Sequence, residues 1–360
     1  MEDPVQVSER IEWELRDVLR EFDAPPLSGI PGPYRDAIAE FLLRKGKRLR
    51  PALFVLSYSG YATEAASNLY RSAVGIELLH DFTLIHDDII DRSTVRRDGP
   101  AMHALLQDKL NGQSGRKFSG ENLAIVVGDM MYALGIRLFL SVDETAEKKQ
   151  AALECLTQAA VFTACGEMKE LLDAIEPLDR LTAEGIAETC QWKTAYYSFA
   201  CPLVTGALLG GATTDDRDAL LNYGLSIGLA YQIQDDALEL LDGHAAGAHD
   251  GDHADLRAGT RTLPLWYAVH HASPRDRTRL TAIVDGGKPS RRDLETARDI
   301  IVRSGGVDYA LNEVSLRLDE GRRALDSLRM NETCREALWR QTVGLLNAPD
   351  EQTRPQEVAR

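Results

Sequence analysis

The stretch that decides the fold is GIELLHDFTLIHDDIID, residues 75–91. Apart from its acidic end it is largely apolar, which is typical of a central helix enclosed by other helices. A second stretch, LLNYGLSIGLAYQIQDDALELL at residues 220–241, has the same character. Strand-like alternation is scarce, and helical spacing of apolar residues recurs at Ile11, Leu15 and Val18. The pattern predicts an all-α protein, a single large helical bundle around a central cavity.

Turn-forming residues divide the chain into long helices. Loops are predicted at residues 24–33, 111–120, 210–215, 242–259 and 286–290. We interpret the 360 residues as one domain, 1–360, with a motif-bearing core at about 35–345. The polar segment 348–360 is expected to fray.

Composition excludes several classes of protein. A formal net charge of −15 and a pI near 5.1 argue against nucleic acid as a partner, because phosphate backbones select basic surfaces. The acidic N-terminus does not resemble a signal peptide and no stretch is predicted to span a membrane, so a cytoplasmic location is expected. The five cysteines lack CxxC spacing, and we interpret them as buried, reduced thiols.

Three acids end the first apolar stretch. On a helix Asp87 and Asp91 lie one turn apart, and Asp88 is three residues from Asp91, so their carboxylates can converge. Their mutual repulsion requires a cation, and Mg²⁺ prefers oxygen ligands, usually one or two carboxylates with water and substrate phosphate. A solvated acidic helix end is the commoner fate of an isolated acidic cluster.

A second triad, Asp235, Asp236 and Glu239, ends the other apolar stretch with the same spacing. Two such triads at the ends of two central helices could face each other across a cavity and hold metal between them. A diiron carboxylate bundle is the main rival, but its sites use Glu-x-x-His pairs. Neither triad is followed by such a histidine.

Basic residues occur where an anionic ligand would need them. Each of them alone could be an ordinary surface charge. Arginine pairs bidentately with phosphate oxygens and lysine adds a point charge, so these residues and the acidic triads together indicate a metal-dependent diphosphate site. The basic clusters are Lys47, Arg48 and Arg50, then Arg96 and Arg97, then Lys193 beside Thr194.

As a set, these motifs resemble those of trans-isoprenyl diphosphate synthases, the polyprenyl synthetase family, over residues 46–264. The resemblance implies an all-α fold, usually as a homodimer, that binds isopentenyl diphosphate, an allylic diphosphate and Mg²⁺, with three ions when substrate is bound. For isopentenyl diphosphate it implies Lys47, Arg50, His80 and Arg97. For the allylic diphosphate it implies Arg96 and Lys193, with Thr194 and Gln232 also binding substrate. For the metal it implies Asp87, Asp88, Asp91, Asp235, Asp236 and Glu239.

Departures from the family pattern fall mainly in the second half of the motif set. The last acid of the second motif is Glu239 where the family has Asp, and no lysine occurs between Lys193 and Lys288, where the family has loop lysines for the allylic diphosphate. Arg257 or Arg261 is a candidate replacement, because arginine offers a bidentate grip. The segment RRGxP reads Arg96-Arg97-Asp98-Gly99-Pro100.

The resemblance implies that the allylic diphosphate ionises, that the isopentenyl double bond attacks the carbocation, and that a proton is then lost. Asp87, Asp88, Asp91, Arg96, Lys193 and Asp235 are the residues expected to serve catalysis. One alternative is a diverged member that cyclises its substrate or prenylates another acceptor. Another is a partner subunit of a heterodimeric synthase, against which the complete first motif counts.

Product length is expected to depend on the side chains one turn before Asp87, which point along the helix into the cavity. Phe82 and Thr83 occupy these positions, so one aromatic ring blocks the cavity instead of two. This resembles archaeal-type geranylgeranyl diphosphate synthases, and a C20 product is predicted, with C15 second. Phe82 could instead be an ordinary core residue.

Overall fold

The computed structural model describes residues 4–112, 117–241 and 253–347. Helices form nearly all of this part of the chain, so the prediction of an all-α fold is confirmed. The first group of elements is α1 (Pro4–Arg20), α2 (Gly32–Leu42), α3 (Leu49–Tyr61), α4 (Leu69–Ile90), β1 (Val95–Arg96), β2 (Gly99–Pro100), α5 (Met102–Lys109), α6 (Gly120–Phe139) and α7 (Ala146–Asp173). The second is α8 (Ala183–Cys190), a π-helix (Gln191–Ala200), α9 (Cys201–Gly210), α10 (Thr214–Leu241), α11 (Ala254–Ala258), α12 (Leu263–His271), α13 (Pro274–Val284), α14 (Arg291–Arg303), α15 (Gly306–Asp326) and α16 (Glu332–Asn347).

Several helices begin where the sequence predicts a loop to end. The Ser119 amide is bonded by the Asn122 side chain at the start of α6, and Ser290 caps α14 through the amide of Asp293, which satisfies amides that lack helical partners. The predicted loop 24–33 contains a short 3₁₀ turn, Leu27–Gly29, and the first residues of α2. The predicted loop 242–259 is wrong at its end, where α11 forms. Its residues 242–252 and the expected fraying tail 348–360 lie outside the described residues.

The chain divides into two compact units, one of Met1–Leu153 with Thr205–Gly211 and one of Glu154–Val204 with Ala212–Arg360. The prediction of a single domain therefore stays a prediction.

In the first unit α4 is the central helix and packs against α1, α3, α5 and α6. Its contact with α6 is at backbone distance, since a Cβ atom on Gly75 would lie 2.6 Å from the carbonyl oxygen of Gly135. Val74 and Leu78 of α4 belong to a core that includes Phe41 and Met131, all at most 1% exposed. The expected enclosure of the stretch at 75–91 is confirmed, and its acidic end is thereby fixed at the C-terminus of a buried helix.

In the second unit α10 packs against the π-helix and α15. Two glycines allow this approach, because a Cβ atom on Gly224 would lie 2.4 Å from the Cα of Ala200 and one on Gly228 would lie 2.5 Å from the Cα of Ala195. The π-helix carries Thr194 into contact with α10, so the glycine seam positions a predicted site residue.

One helix bears on the expectation that no stretch spans a membrane. Among the described residues α6 is long and apolar enough to do so by length and composition alone, and it packs against α4 in the first unit as a core helix does. The expectation therefore stays a prediction. The expectation of buried cysteines is wrong for Cys165, which is exposed on α7. The other four cysteines are at least partly buried, and none of the five, all among the described residues, forms a disulfide.

Candidate active site

The first acidic motif lies at the C-terminal end of α4, as the sequence predicts. Asp87 and Asp88 are in the last turn and Asp91 follows it, with the Asp91 amide bonded to the Asp87 carbonyl oxygen at 2.8 Å. A helix C-terminus carries partial negative charge, so three carboxylates there need positive charge nearby. Arg96 supplies part of it, with its Nε donating to Asp88 Oδ1 at 2.8 Å and its Nη2 lying 3.5 Å from Asp87 Oδ2.

Asp88 retains acceptor capacity after pairing with Arg96. Both Arg96 contacts go to Oδ1, while the buried Oδ2 has no hydrogen-bond partner. Burial raises the pKa of Asp88, and Arg96 opposes this shift. A fully buried carboxylate with an unpartnered oxygen is suited to a cation.

Arg96 and Arg97 are presented by the β1–β2 hairpin. Arg96 pairs with Gly99 across the strands, so Arg97 and Asp98 form a two-residue turn with φ of 51° and 58°. Such a turn needs positive φ at both positions, at a cost of about 1–3 kcal/mol for each residue other than glycine. A specific network must hold it in place.

Arg97 turns inward to two acids of α4. Its Nη2 lies 3.4 Å from Glu77 Oε1 and its Nη1 lies 3.3 Å from Asp81 Oδ1. Burial and the neighbouring Glu77 raise the pKa of Asp81 to about 8, against the opposing effect of Arg97 and Arg48. Neither acid was predicted as a site residue. Their signal in the sequence is two acids one turn apart within an apolar helix.

The basic side chains of residues 45–50 differ in their exposure. Lys47 is exposed and Arg50 is half-buried. Arg48 is 2% exposed, and its Nη1 donates to Glu77 Oε1 at 2.6 Å. Although burial opposes its charge, Glu77 and a hydrogen bond to Glu12 raise the pKa of Arg48 above its ordinary value. Arg48 is therefore a structural residue and not an open phosphate ligand.

His80 lies among these cations. Burial, followed by Arg50 and Arg97, lowers its pKa well below the usual value, so the ring is neutral near neutral pH. Its Nδ1 is 3.3 Å from Thr83 Oγ1, and that hydroxyl donates to the His80 carbonyl oxygen at 2.7 Å. The structure thus brings His80, Arg97 and the segment carrying Lys47 and Arg50 together within one unit.

The second acidic motif lies in the last two turns of α10. Gln232 Nε2 donates to Asp236 Oδ1 at 2.8 Å, and Gln232 Oε1 accepts from the Thr194 hydroxyl at 2.8 Å. Glu239 Oε1 accepts from the amide of Asp255 at 3.1 Å. Burial and then Asp255 raise the pKa of Glu239 to about 8. Sequence reasoning missed Asp255 as a neighbour of Glu239, because the two residues lie on different helices, α11 and α10.

Lys193 has two carboxylate partners on α7. Its Nζ lies 2.6 Å from Glu170 and 2.8 Å from Glu167. Burial raises the pKa of Glu170, and Lys193 opposes the shift. Neither glutamate was predicted from the sequence, because both are more than twenty residues from Lys193 along the chain and no local spacing pattern links them.

The two loop arginines have different environments. Arg261 is 7% exposed and donates to the carbonyl oxygens of Asp173, Ala174 and Glu176, and it pairs with Asp285 at 2.9 Å. It is a structural clamp, so its candidacy as a phosphate ligand is wrong. Arg257 is exposed on α11 and stays a candidate.

Phe82 is half-buried on α4. Its ring centroid is 4.7 Å from that of His86 and 5.1 Å from that of Tyr132 on α6. The side chain also packs against the core of the first unit. Tyr132 was not predicted, and it makes the aromatic cluster larger than the sequence around Asp87 suggests.

The candidate metal ligands suit Mg²⁺ by their chemistry. Carboxylate oxygens dominate both clusters, and Asp88 offers an unpartnered oxygen. Across residues 4–112, 117–241 and 253–347 no three His, Cys, Asp or Glu side chains gather as a metal site. The convergence of each acidic triad on one metal ion therefore stays a prediction.

Comparisons with known proteins agree with this arrangement. The family model for polyprenyl synthetase matches residues 33–301. The short chain isoprenyl diphosphate synthase of Methanothermobacter thermautotrophicus is 32% identical over 90% of this chain and 96% of its own length. The geranylgeranyl diphosphate synthase of Methanosarcina mazei is 30% identical over 79% of this chain and 80% of its own.

A solved structure extends the likeness to the fold. The geranylgeranyl pyrophosphate synthase of Corynebacterium glutamicum, complexed with isoprenyl diphosphate and magnesium, superposes with a TM-score of 0.82 at 26% identity, over 94% of this chain and 98% of that one. With its helical fold and its two acidic motifs, the chain belongs to the polyprenyl synthetase family and is a prenyltransferase.

Proposed function

We propose that this prenyltransferase condenses isopentenyl diphosphate with an allylic diphosphate in a Mg²⁺-dependent reaction, with geranylgeranyl diphosphate as its product. The observation that carries the proposal is the first acidic cluster, where a buried Asp88 oxygen without a partner adjoins a hairpin bearing two arginines. Acids that fit a metal beside arginine forks are what a diphosphate requires. A cytoplasmic location is part of the proposal.

Mg²⁺ would be held by the two acidic motifs, Asp87, Asp88 and Asp91 and then Asp235, Asp236 and Glu239, with three ions when substrate is present. When bound, it neutralises charge on the leaving diphosphate as a Lewis acid. The carboxylates then serve as ligands and take no proton from the substrate.

The basic residues of the first unit would bind the two diphosphates. Lys47, Arg50 and Arg97 hold isopentenyl diphosphate, and neutral His80 adds a hydrogen bond without adding charge. Arg96 holds the allylic diphosphate and adds positive charge where negative charge develops as the carbon–oxygen bond breaks. In this structure Arg96 and Arg97 contact carboxylates. Substrate binding would replace some of these contacts with contacts to phosphate oxygens.

Lys193 and Thr194 of the π-helix would act on the same allylic diphosphate. Glu167 and Glu170 pair with the lysine and limit the positions of its Nζ. Gln232 links the Thr194 hydroxyl to Asp236, so it couples a substrate-binding residue to a metal ligand.

Bond formation then depends on orientation and on exclusion of water. The isopentenyl double bond attacks the allylic cation, a carbon–carbon bond forms, and a proton leaves the new chain to the released diphosphate. Holding both substrates in reacting geometry removes much of the entropic barrier, and apolar walls keep water from the cation. The aromatic cluster of Phe82, His86 and Tyr132 would limit the length of the growing chain.

A homodimer is part of the proposal, and an exposed apolar stripe on α7 and the turn that follows it supports this. Val161, Met168, Leu172 and Ile175 are 56%, 63%, 50% and 79% exposed, and Cys165 is exposed as well. They recur at alternating steps of four and three residues, the spacing of a helix-packing seam. Leu172→Glu should give monomers with unchanged helical circular dichroism. Light scattering after gel filtration measures this, and a stripe variant that stays dimeric would contradict it.

The direct test is to incubate purified protein with Mg²⁺, isopentenyl diphosphate and each allylic diphosphate in turn, then to identify the products. Elongated diphosphates support the proposal. A product formed from the allylic diphosphate alone would indicate cyclisation instead. Turnover that appears only after a second, different subunit is added would indicate a partner subunit.

A further inference from the structure

Arg44, two residues after the end of α2, has no predicted role, and yet it bonds directly to the arginine-bearing hairpin. Its Nη1 donates to the carbonyl oxygen of Arg96 at 2.9 Å and to that of Pro100 at 2.7 Å. These two carbonyls lie on opposite strands, at either side of the turn formed by Arg97 and Asp98. One guanidinium therefore ties both strands together.

The Arg44 side chain is itself fixed. Its Nε and Nη2 donate to the two carboxylate oxygens of Glu40, at 2.9 and 3.1 Å, and it lies over the ring of Phe41 at 5.2 Å. The side chain is only 8% exposed, whereas that of Glu40 is 53% exposed. A bidentate pair leaves the guanidinium plane little freedom, so the donors directed at the hairpin keep their positions.

The hairpin is built around this contact. A Cβ atom on Gly99 would lie 2.6 Å from the Arg44 guanidinium carbon, although Gly99 does not have the positive φ that would demand glycine. Glycine is thus needed at position 99 because the Arg44 guanidinium occupies the space that a Cβ atom would take. On the other side, Arg48 donates to the Arg44 carbonyl oxygen at 2.9 Å and anchors the backbone from which Arg44 extends.

The hairpin needs such a tie, because its turn holds two non-glycine residues in the left-handed region. Arg96 is separately fixed by two donors to Asp88. Among the described residues, the polar contacts of the Arg97 side chain are the two long ones to Glu77 and Asp81. Loss of the Arg44 hydrogen bonds should therefore change the position of the Arg97 side chain more than that of Arg96.

We propose that Arg44 is a positioning residue that holds the β1–β2 hairpin in its strained turn and thereby orients Arg97 toward isopentenyl diphosphate. The inference rests on the proposed function for the identity of that ligand. Its structural part, the order of the hairpin, can be measured without substrate, so the two can fail separately.

The test compares Arg44→Met, which keeps packing on Phe41 but loses all donors, with wild type. Hydrogen exchange of the amides in residues 94–101 is expected to accelerate about tenfold or more, since two charge-assisted hydrogen bonds are lost. The KM for isopentenyl diphosphate should rise about tenfold, with less than a threefold change in kcat and in the KM for the allylic substrate. Arg44→Lys should give an intermediate KM, because it retains charge without the fork.

Gly99→Ala provides a second route to the same state, because its methyl group displaces the Arg44 side chain without removing it. It should reproduce the exchange and KM changes, and the double variant should be no worse than Arg44→Met alone. Arg291→Met is the control, since it breaks a similar pair between an arginine and a glutamate one turn away, Glu295, at exposed positions of α14. It should change neither readout.

Exchange in residues 94–101 within twofold of wild type in both Arg44→Met and Gly99→Ala would overturn the inference. So would a fall in kcat with unchanged KM, which is the result of a smaller folded fraction. If wild-type protein shows no condensation at all, the proposed function fails, while the exchange data still decide whether Arg44 orders the hairpin.

Discussion

Replacing Glu77 with alanine tests whether the buried ion pair under the hairpin holds the first unit together. The Arg48 side chain is 1% exposed and that of Glu77 is 2% exposed, with 2.6 Å between Nη1 and Oε1. Removing one partner of a buried pair costs about 3–5 kcal/mol, because the remaining charge is left in a poorly solvating interior. The same change removes one of the two carboxylates that contact Arg97.

The expected loss lies at the lower end of that range. After the change Arg48 still donates to Glu12 at 2.6 Å and to the carbonyl oxygens of Leu42 and Arg44 at 3.1 and 2.9 Å. Glu12 is about a third exposed, so solvent weakens its attraction to Arg48 and it compensates the arginine's charge only in part. We therefore expect Glu77→Ala to lower the free energy of unfolding by about 3 kcal/mol.

Urea unfolding followed by circular dichroism measures the loss. Glu295→Ala breaks an exposed pair on α14 and should cost less than about 0.5 kcal/mol. In a double-mutant cycle, Glu77→Ala and Arg48→Met should show a coupling energy of about 2 kcal/mol or more. A loss below about 1 kcal/mol for Glu77→Ala, or additive effects in the cycle, would refute the reasoning.

Four further outcomes are expected. Under the proposed function, Asp87→Ala should abolish turnover with unchanged helical circular dichroism, because the lost carboxylate would hold metal and would not stabilise the core; near-normal turnover at saturating Mg²⁺ would remove that assignment. Arg261→Ala should lower the free energy of unfolding by about 2–3 kcal/mol, measured with urea, since three backbone carbonyls lose a donor. Arg257→Ala should leave stability unchanged and raise the KM for the allylic substrate. A destabilised Arg257→Ala, or a stable Arg261→Ala with a raised KM, would contradict these assignments. Phe82→Ala should lengthen the product, read by chromatography of the dephosphorylated alcohols, and an unchanged length would place the cavity floor elsewhere. The NMR signals of the His80 ring should not titrate near pH 6.5, because burial and the neighbouring arginines lower its pKa. Below about pH 6.5 the unfolded chain binds a proton at this histidine and the folded protein does not, so the free energy of unfolding should decrease as the pH falls. A His80 titration at pH 6.5 would contradict this.

Local sequence predicted the elements whose signals are local. The acidic triads at Asp87 and Asp235 end apolar helices in the structure as expected, because helical periodicity and spacing along the chain determine both features. The start of α6 at Gly120 matches the end of the loop predicted at 111–120, because turn-forming residues are also a local signal. The family resemblance added roles for residues such as Lys47, which no spacing rule could assign.

Contacts between distant segments could not be predicted in the same way. Glu167 and Lys193 are neighbours only after α7 and the π-helix pack, and Asp255 reaches Glu239 only through α11. Arg261 shows the reverse error, since an arginine in a predicted loop became a buried clamp on three carbonyls. The charge of a residue limits which partners it can have, but the packing of the helices determines which of these partners lies within reach.

The glycine seam of the second unit has a consequence for protein engineering. Any side chain at Gly224 or Gly228 would meet the backbone of the π-helix within 2.5 Å, where no rotamer change can make room. Such a substitution would displace Thr194 and its bond to Gln232. Variant libraries aimed at new substrates should therefore hold these two positions constant and diversify half-buried side chains such as Phe82, where a change of shape leaves the backbone in register.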